Sequence, residues 1–393
     1  MGDEPQDELE GMTPLEAART PFMDQLASNG ILGLVETITP EQEPGSDVAN
    51  MAIMGYDPDL FHSGRAPLEA ASMGIELDDD EVAFRCNLVS VEPGEGGELT
   101  LVDYSAGHIS NEEAHMLIQT LQEKLGDESF RFYPGVSYRH LLVWRGGRSD
   151  LNITPPHDVT GQPVAAYWRA YDEVPELNSL MGSGRLLLAE HPVNQERVKQ
   201  GKRAANAIWL WGQGLAVRMP SLKERFGFEG VVISAVDLLK GLGVCAGLEP
   251  ISVAGATGYL DTNYRGKVAA TVAALRDRDF VYLHVEAPDE TSHQGSLELK
   301  VEAIEAFDSQ VVGPVLDGCR DFDKVRVLLI TDHLTPVRIR THAKGLVPFA
   351  ICDLPIDPAL AHRSFCEGSA ASAGLVIKPG HTLMEQFIEG DLR

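Results

Sequence analysis

Basic residues are scarce in this chain: Lys and Arg number 32 against 59 Asp and Glu, a formal net charge of −27 over 393 residues. No Lys/Arg-rich block offsets the excess, so the counterion-release attraction that drives binding to a phosphate backbone is missing, and nucleic acid is excluded as a partner. Uninterrupted apolar runs of about 18 residues are missing as well, which excludes a membrane-spanning helix and a membrane partner. The N-terminus is acidic where a secretory signal would be basic and then apolar. Together these absences predict a soluble, cytoplasmic protein; a homo-oligomer is compatible with them. Cysteine is sparse: Cys86, Cys245, Cys319, Cys352 and Cys366 are odd in number, dispersed and without a Cys-x-x-Cys pair. That excludes a disulfide framework and a cysteine zinc cluster. Internal repeats and low-complexity stretches are absent too.

What is present is enough chain for two domains and a pair of apolar runs with unusual endings. Asp279–Pro288 reads Asp-Phe-Val-Tyr-Leu-His-Val-Glu-Ala-Pro and is followed by Asp289 and His293; Val325–Thr331 is followed by Asp332 and His333, with His342 nine residues on. Runs this rich in β-branched residues fit buried strands of a parallel sheet, whose ligands collect beyond the carboxyl ends of the strands. Five Asp and His side chains arriving there suit a divalent metal that accepts mixed imidazole and carboxylate ligands. Each pair alone would be an ordinary solvated His or helix-capping Asp; it is their convergence that makes the pattern specific.

Along the chain, Thr13-Pro14 predicts a helix start, Gly30–Thr37 a strand, and Val48–Gly55 a short buried helix stopped by glycine. From about residue 82 strand-like segments (Val82–Ser90, Leu99–Val102, Phe130–Tyr133, His140–Trp144) surround a periodic helix over Asn111–Leu125. This predicts a compact α+β unit over 82–185 inserted into an α/β core formed by 1–81 and 186–393. Core strands are predicted near 230–234, 250–253, 280–287 and 325–331.

Ser46, between Gly45 and Asp47 ahead of the Val48 helix, reads first as an N-cap serine. Beside a metal site, a serine at the positive end of a helix dipole also reads as a phosphoryl acceptor. Other phosphate motifs fail. Arg265-Gly-Lys-Val268 lacks the earlier P-loop glycine and the Ser/Thr after Lys267, and Gly241-Leu-Gly243 is separated from its strand, reading as a helix cap and turn. His108, His157, Arg139 and His140 lie on glycine- or proline-bounded segments of the inserted unit and read as anion contacts from a lid.

Taken in order, Thr13–Ala18, Pro44–Asn50, Gly64–Ala71, Ser105–Ser110, Tyr138–His140, Asp261–Tyr264, Asp289–His293, Thr331–Pro336 and Val347–Phe349 resemble the archaeal-type cofactor-independent phosphoglycerate mutases and their bacterial relatives, in the alkaline phosphatase superfamily. The resemblance implies an alkaline-phosphatase-like α/β fold with a doubly wound sheet and an inserted α+β lid. It implies a nucleophilic Ser46 forming a phosphoserine intermediate, one metal on Asp289, His293 and His342, and another on Asp332, His333 and Ser46. It also implies interconversion of 3- and 2-phosphoglycerate without bisphosphoglycerate, with two divalent ions, Mn²⁺ ahead of Zn²⁺, Mg²⁺ and Co²⁺. The small phosphorylated hydroxy acid would be gripped by Arg65, His108, Arg139, His157, Asp158 and Lys267. One departure stands out: family members begin with a strand ending in Asp-Gly-x-Gly/Ala-Asp, whereas this chain opens Met1-Gly2-Asp3. The expectation is therefore a core lacking its first strand and one Asp ligand, with weakened activity and stability that an added upstream segment would restore. Two other readings stand beside the mutase: a homoserine kinase-like phosphotransferase, and an inactive member serving as a binding module.

Overall fold

The computed structural model describes residues 1–94, 96–360 and 362–390. The chain divides into a unit formed by Met1–His62 and Arg218–Arg393 and a second formed by Ser63–Val217.

The first unit is built on two sheets. One has the strand order Arg326–Ile330, Val347–Asp353, Ile31–Val35, Val376–Ile377; the other has the order Glu249–Pro250, Gly230–Ile233, Phe280–Leu283. The three-stranded sheet is parallel throughout. The four-stranded one is mixed, because Val347–Asp353 runs antiparallel to both neighbours. For the run 325–331 this corrects the expectation of a parallel strand, since its ladder partner runs the other way. After Ile330 the chain does not cross over through a helix, as a parallel return requires; it loops through His333 and His342 and comes straight back. Leu15, Met23, Leu26, Leu32, Ile304, Phe365 and Ala350 form the main buried cluster of this unit.

The predicted strand Gly30–Thr37 is Ile31–Val35 and the helix start at Pro14 is capped by Thr13 in a capping box. The Gly241–Gly243 turn is a correction: both glycines lie inside the helix Asp237–Cys245. The reason is packing. A Cβ on Gly243 would sit 2.5 Å from Val232 Cγ1, so glycine is what lets the helix lie directly on its strand.

Besides the two-residue edges Glu249–Pro250 and Val376–Ile377, two strands of the first unit have only one ladder partner each among the described residues. Phe280–Leu283 pairs with Gly230–Ile233, and Arg326–Ile330 pairs with Val347–Asp353. Both are half-buried along most of their length although apolar, while their partners are buried.

The second unit is an antiparallel sheet of Leu99–Asp103, Glu81–Pro93, Arg139–Arg145 and Phe130–Val136, with Ala207–Leu215 also paired to Glu81–Pro93. Helix Asn111–Leu125 covers it with Ala114, Leu117, Ile118 and Leu121, a 3.6-residue stripe buried with Leu177, Leu180 and Leu188 of the helix Pro175–Glu190. The unit extends beyond the expected 82–185. Ala207–Leu215 pairs along Val82–Val89, and the helix Arg65–Ser72 buries Ala66 and Ala70 against Ala83, Leu141 and Val143.

Candidate active site and its metal-ligand cluster

Asp289 and His293 stand four residues apart on the helix Ala287–His293, so they project from one face. His342 reaches the same point from the loop after Ile330. His293 Nε2 lies 3.1 Å from Asp289 Oδ2 and 3.1 Å from His342 Nε2, and His342 Nε2 lies 3.5 Å from Asp289 Oδ1. Ligand atoms bonded at about 2.0–2.1 Å to one tetrahedral ion lie about 3.3–3.4 Å apart, so this spacing fits a shared cation. Two imidazole nitrogens facing each other at 3.1 Å also need a proton or a cation between them. The other nitrogen of His293 faces the Arg340 carbonyl at 2.9 Å, the outer contact that turns a histidine's remaining nitrogen toward a metal. Among the described residues, this is the group of three whose ligand atoms all lie within 4.8 Å of one another.

The charge state follows from the packing. The hydrogen bond to Asp289 raises the His293 imidazole to about 9 despite burial. Burial works to raise the Asp289 carboxyl, but the hydrogen bonds from His293 and His342 and the charge of His333 outweigh it and hold Asp289 well below the usual carboxylate range.

Asp332 and His333 follow the strand Arg326–Ile330 after one intervening residue, Thr331. Asp332 Oδ2 is 3.3 Å from His333 Nε2, and Ser46 Oγ is 3.0 Å from that same nitrogen. Ser46 is the first residue of the helix Ser46–Ile53 with Gly45 as its N-cap, so the expected capping role is corrected. With no capping bond to make, its hydroxyl is free to face His333. Asn50, one turn on, holds the arrangement by donating to the Ser46 carbonyl (2.8 Å) and to Asp332 Oδ2 (3.1 Å). Burial tends to raise the Asp332 carboxyl; His333, the Met1 ammonium and His284 together hold it low. Burial pushes the His333 imidazole down.

Several residues here escaped the reading of the sequence. His284, the first residue past Phe280–Leu283, contacts Ser234 Oγ (3.1 Å) and Glu286 (3.1 Å), and its carbonyl accepts from Lys267 Nζ (3.0 Å). Lys267 is fully buried, and burial lowers its ammonium to about 8. The signal for His284 was its place at a strand's carboxyl end. Thr335, Lys300 and Asn50 carried no signal, because a buried Thr, Lys or Asn is recognised only by its partners.

The other expected substrate contacts fall in the Ser63–Val217 unit. His157 packs edge-on to Trp211 (5.3 Å) and Tyr104 (6.2 Å), and His108 to Tyr138 (6.2 Å), over which Arg139 also lies (5.7 Å). Arg85, missed in the sequence, stacks 4.1 Å above Trp211 and pairs with Glu69. Its burial lowers its pKa, Glu69 opposes this, and Arg65 and Arg139 add to the lowering, so three guanidinium groups share one field. Asp158 is exposed and 3.6 Å from His157. His140 is corrected: it is buried in the sheet, accepts from Gly135 N at 2.9 Å, and is pushed by burial down to about 3, so it is a core residue and not an anion contact.

An α/β unit that brings metal-type ligands and a helix-start serine together beyond its strand ends has the parts that a metal-assisted phosphoryl-transfer class of protein uses. The chain belongs to the 2,3-bisphosphoglycerate-independent phosphoglycerate mutase family. The model of that family matches residues 27–194. The chain is 51% identical over 389 residues to the "probable 2,3-bisphosphoglycerate-independent phosphoglycerate mutase" of Geobacter sulfurreducens, covering 99% of this chain and 97% of that one. It is 49% identical over 393 residues to the mutase of Methanothrix thermoacetophila, covering 99% and 97%. Among solved structures, the PH0037 protein of Pyrococcus horikoshii is similar at a TM-score of 0.80 with 29% identity over 100% of this chain and 96% of that one. The cofactor-independent phosphoglycerate mutase of Thermoplasma acidophilum is similar at 0.62 with 27% identity over 99% and 96%. Among the described residues no helix is long and apolar enough to cross a membrane.

Proposed function

We propose that this chain interconverts 3-phosphoglycerate and 2-phosphoglycerate through a phosphoserine at Ser46, without bisphosphoglycerate. The observation that carries the reading is the placement of Ser46 Oγ 3.0 Å from His333 Nε2, next to Asp332 and the Asp289–His293–His342 group. Asp289, His293 and His342 would hold one divalent ion, and Asp332, His333 and Ser46 a second, with Mn²⁺ as the first ion to test. Such ions supply charge neutralisation at the phosphoryl oxygens and lower the pKa of a serine hydroxyl.

The chain's own residues do the rest. Ser46 Oγ takes the phosphoryl group from the 3-oxygen of the substrate and later passes it to the 2-oxygen. Its position at a helix N-terminus favours the negative charge that collects there. Asn50 fixes Asp332 relative to Ser46. The Ser63–Val217 unit acts as a lid in this reading, with Arg65, His108, Arg139, His157 and Asp158 as substrate contacts that keep the glycerate from leaving and water from reaching the phosphoserine. Lys267 is buried with its ammonium on the His284 carbonyl, so in this reading it positions His284 rather than touching the substrate.

The fold reading extends to one more strand. The half-buried edges Phe280–Leu283 and Arg326–Ile330 deliver site residues from the same ends, and Gly2 makes a parallel bridge to Leu334 just beyond the second edge. An apolar strand leading into Met1 would satisfy both edges.

The deciding experiment is conversion of 3-phosphoglycerate with Mn²⁺ and no bisphosphoglycerate, run with and without an apolar strand-forming extension ahead of Met1, and with Ser46→Ala. Activity lost in the variant supports the reading; an equally active Ser46→Ala protein refutes it. The homoserine kinase-like reading gains no support, since the glycine pair that resembled a nucleotide loop is mid-helix.

A further inference from the structure

Thr335 is fully buried and its backbone is fixed at both ends: its N–H donates to the Gly2 carbonyl (3.1 Å) and its carbonyl accepts from Lys300 Nζ (2.9 Å). Its hydroxyl then has two neighbours, Asp289 Oδ1 at 2.6 Å and His333 Nδ1 at 3.1 Å. A threonine hydroxyl owns one proton. The Asp289 carboxylate, bonded to two histidines, only accepts, so the hydroxyl proton goes to it. The second contact therefore closes only if His333 donates Nδ1–H to Thr335 Oγ1. A doubly protonated ring would donate there too, so the direction of this bond does not depend on the charge of the imidazole. The opposite tautomer would turn the threonine proton toward Nδ1 and leave two oxygen lone pairs facing each other at 2.6 Å.

We infer that Thr335 is a positioning residue that sets the tautomer of His333, protonated at Nδ1, and so leaves the Nε2 lone pair to accept from the Ser46 hydroxyl or to take a cation shared with Asp332. The same hydroxyl orients Asp289, so one side chain ties the two halves of the site together. The backbone clamp from Lys300 and Gly2 is what makes the hydroxyl's position definite. Outer contacts of this kind fix the ring orientation and basicity of a metal-binding histidine, and losing one weakens metal affinity by about 10–100-fold. The inference rests on His333 being a site residue under the proposed function, but its test does not need turnover.

The test is ¹⁵N NMR of the histidine rings in metal-free protein, with His333 assigned by loss of its signals in His333→Asn, together with Zn²⁺ titration by calorimetry. Wild type should show Nδ1 protonated and Nε2 bare. Thr335→Val, which keeps the shape and loses the hydroxyl, should move His333 toward the Nε2–H tautomer and weaken Zn²⁺ binding about 10–100-fold. Thr335→Ser should restore both. An Nε2–H tautomer in wild type would overturn the inference, as would a Thr335→Val protein with the wild-type tautomer and affinity. If Thr335→Val does not fold, the wild-type and Thr335→Ser spectra decide alone. A protein with the expected tautomer but no mutase activity would sink the proposed function and leave this assignment standing.

Discussion

Lys300→Met is the substitution whose cost the structure states most directly. Lys300 and Asp3 are fully buried and 2.8 Å apart, and the ammonium spends its three protons on Asp3 Oδ2 (2.8 Å), the Gly2 carbonyl (3.0 Å) and the Thr335 carbonyl (2.9 Å). Burial pushes the ammonium pKa down and Asp3 pulls it back up, the mark of a charge that persists only because it is paired. Methionine preserves most of the volume and removes the charge and all three donors. Asp3 keeps Glu4 N (2.7 Å), Gln6 Nε2 (2.9 Å) and Val337 N (3.1 Å), which soften the loss. Removing one partner of a buried pair costs about 3–5 kcal/mol, and a carbonyl left without its donor costs about 1–3 kcal/mol; the remaining donors to Asp3 place the expectation near 4 kcal/mol. Urea unfolding followed by circular dichroism at neutral pH measures it, with Asp3→Asn/Lys300→Met as the second arm. The double variant no longer buries a lone charge and should recover about 2 kcal/mol. A loss below about 1 kcal/mol for Lys300→Met would refute the argument, because it would mean the pair is not desolvated.

Burial raises Asp308 to about 6 against the opposing hydrogen bonds from Met23 and Phe22. A raised carboxyl contributes stability that is complete below its unfolded value and lost as pH rises through about 6, a loss of about 3 kcal/mol. Asp308→Asn should therefore stabilise the protein above about pH 7 and do little below about pH 4, read from urea midpoints across pH. In metal-free protein His293 carries its proton up to about 9, so the stability it adds is complete below its unfolded value and lost as pH rises through about 9. A cation must displace that proton, so affinity should rise about tenfold per pH unit up to about pH 9. His293→Ala should abolish this slope and weaken Zn²⁺ binding by more than the about 10–100-fold typical of an outer contact, measured by calorimetry. Gly243→Ala should cost about 1–3 kcal/mol in urea unfolding, since its Cβ meets Val232 at 2.5 Å.

The site was legible in the sequence wherever a ligand follows a strand or a helical spacing. Asp332 and His333 come straight off Arg326–Ile330, and Asp289 and His293 share a helix face by their spacing. What stayed hidden depends on return direction and on partners. Val347–Asp353 is apolar enough for any interior strand, and nothing in its composition says that it runs antiparallel to both neighbours. Ala207–Leu215 lies far along the chain from Glu81–Pro93, and only their pairing assigns it to the second unit. His140 was misjudged because a histidine beside Tyr138 and Arg139 looks polar in sequence, whereas it lies in a strand whose residues 140 to 144 are all buried. Thr335 and Lys300 are legible only as a network.

The overall charge sharpens what the site must do. A chain of net charge −27 repels an anionic substrate, and the site itself adds the carboxylates of Asp289 and Asp332, both held ionised by their neighbours. A protonated His293 offsets only one of these charges, so the metal-free site is no attractor for a phosphate. Two dications on the same ligands would reverse the local sign and leave the pair of carboxylates outweighed by two positive charges. Chelation should therefore abolish phosphoglycerate binding as well as turnover. A chelated protein that binds phosphoglycerate as tightly as the metal-loaded one would mean that the carboxylate–histidine cluster serves the chemistry alone.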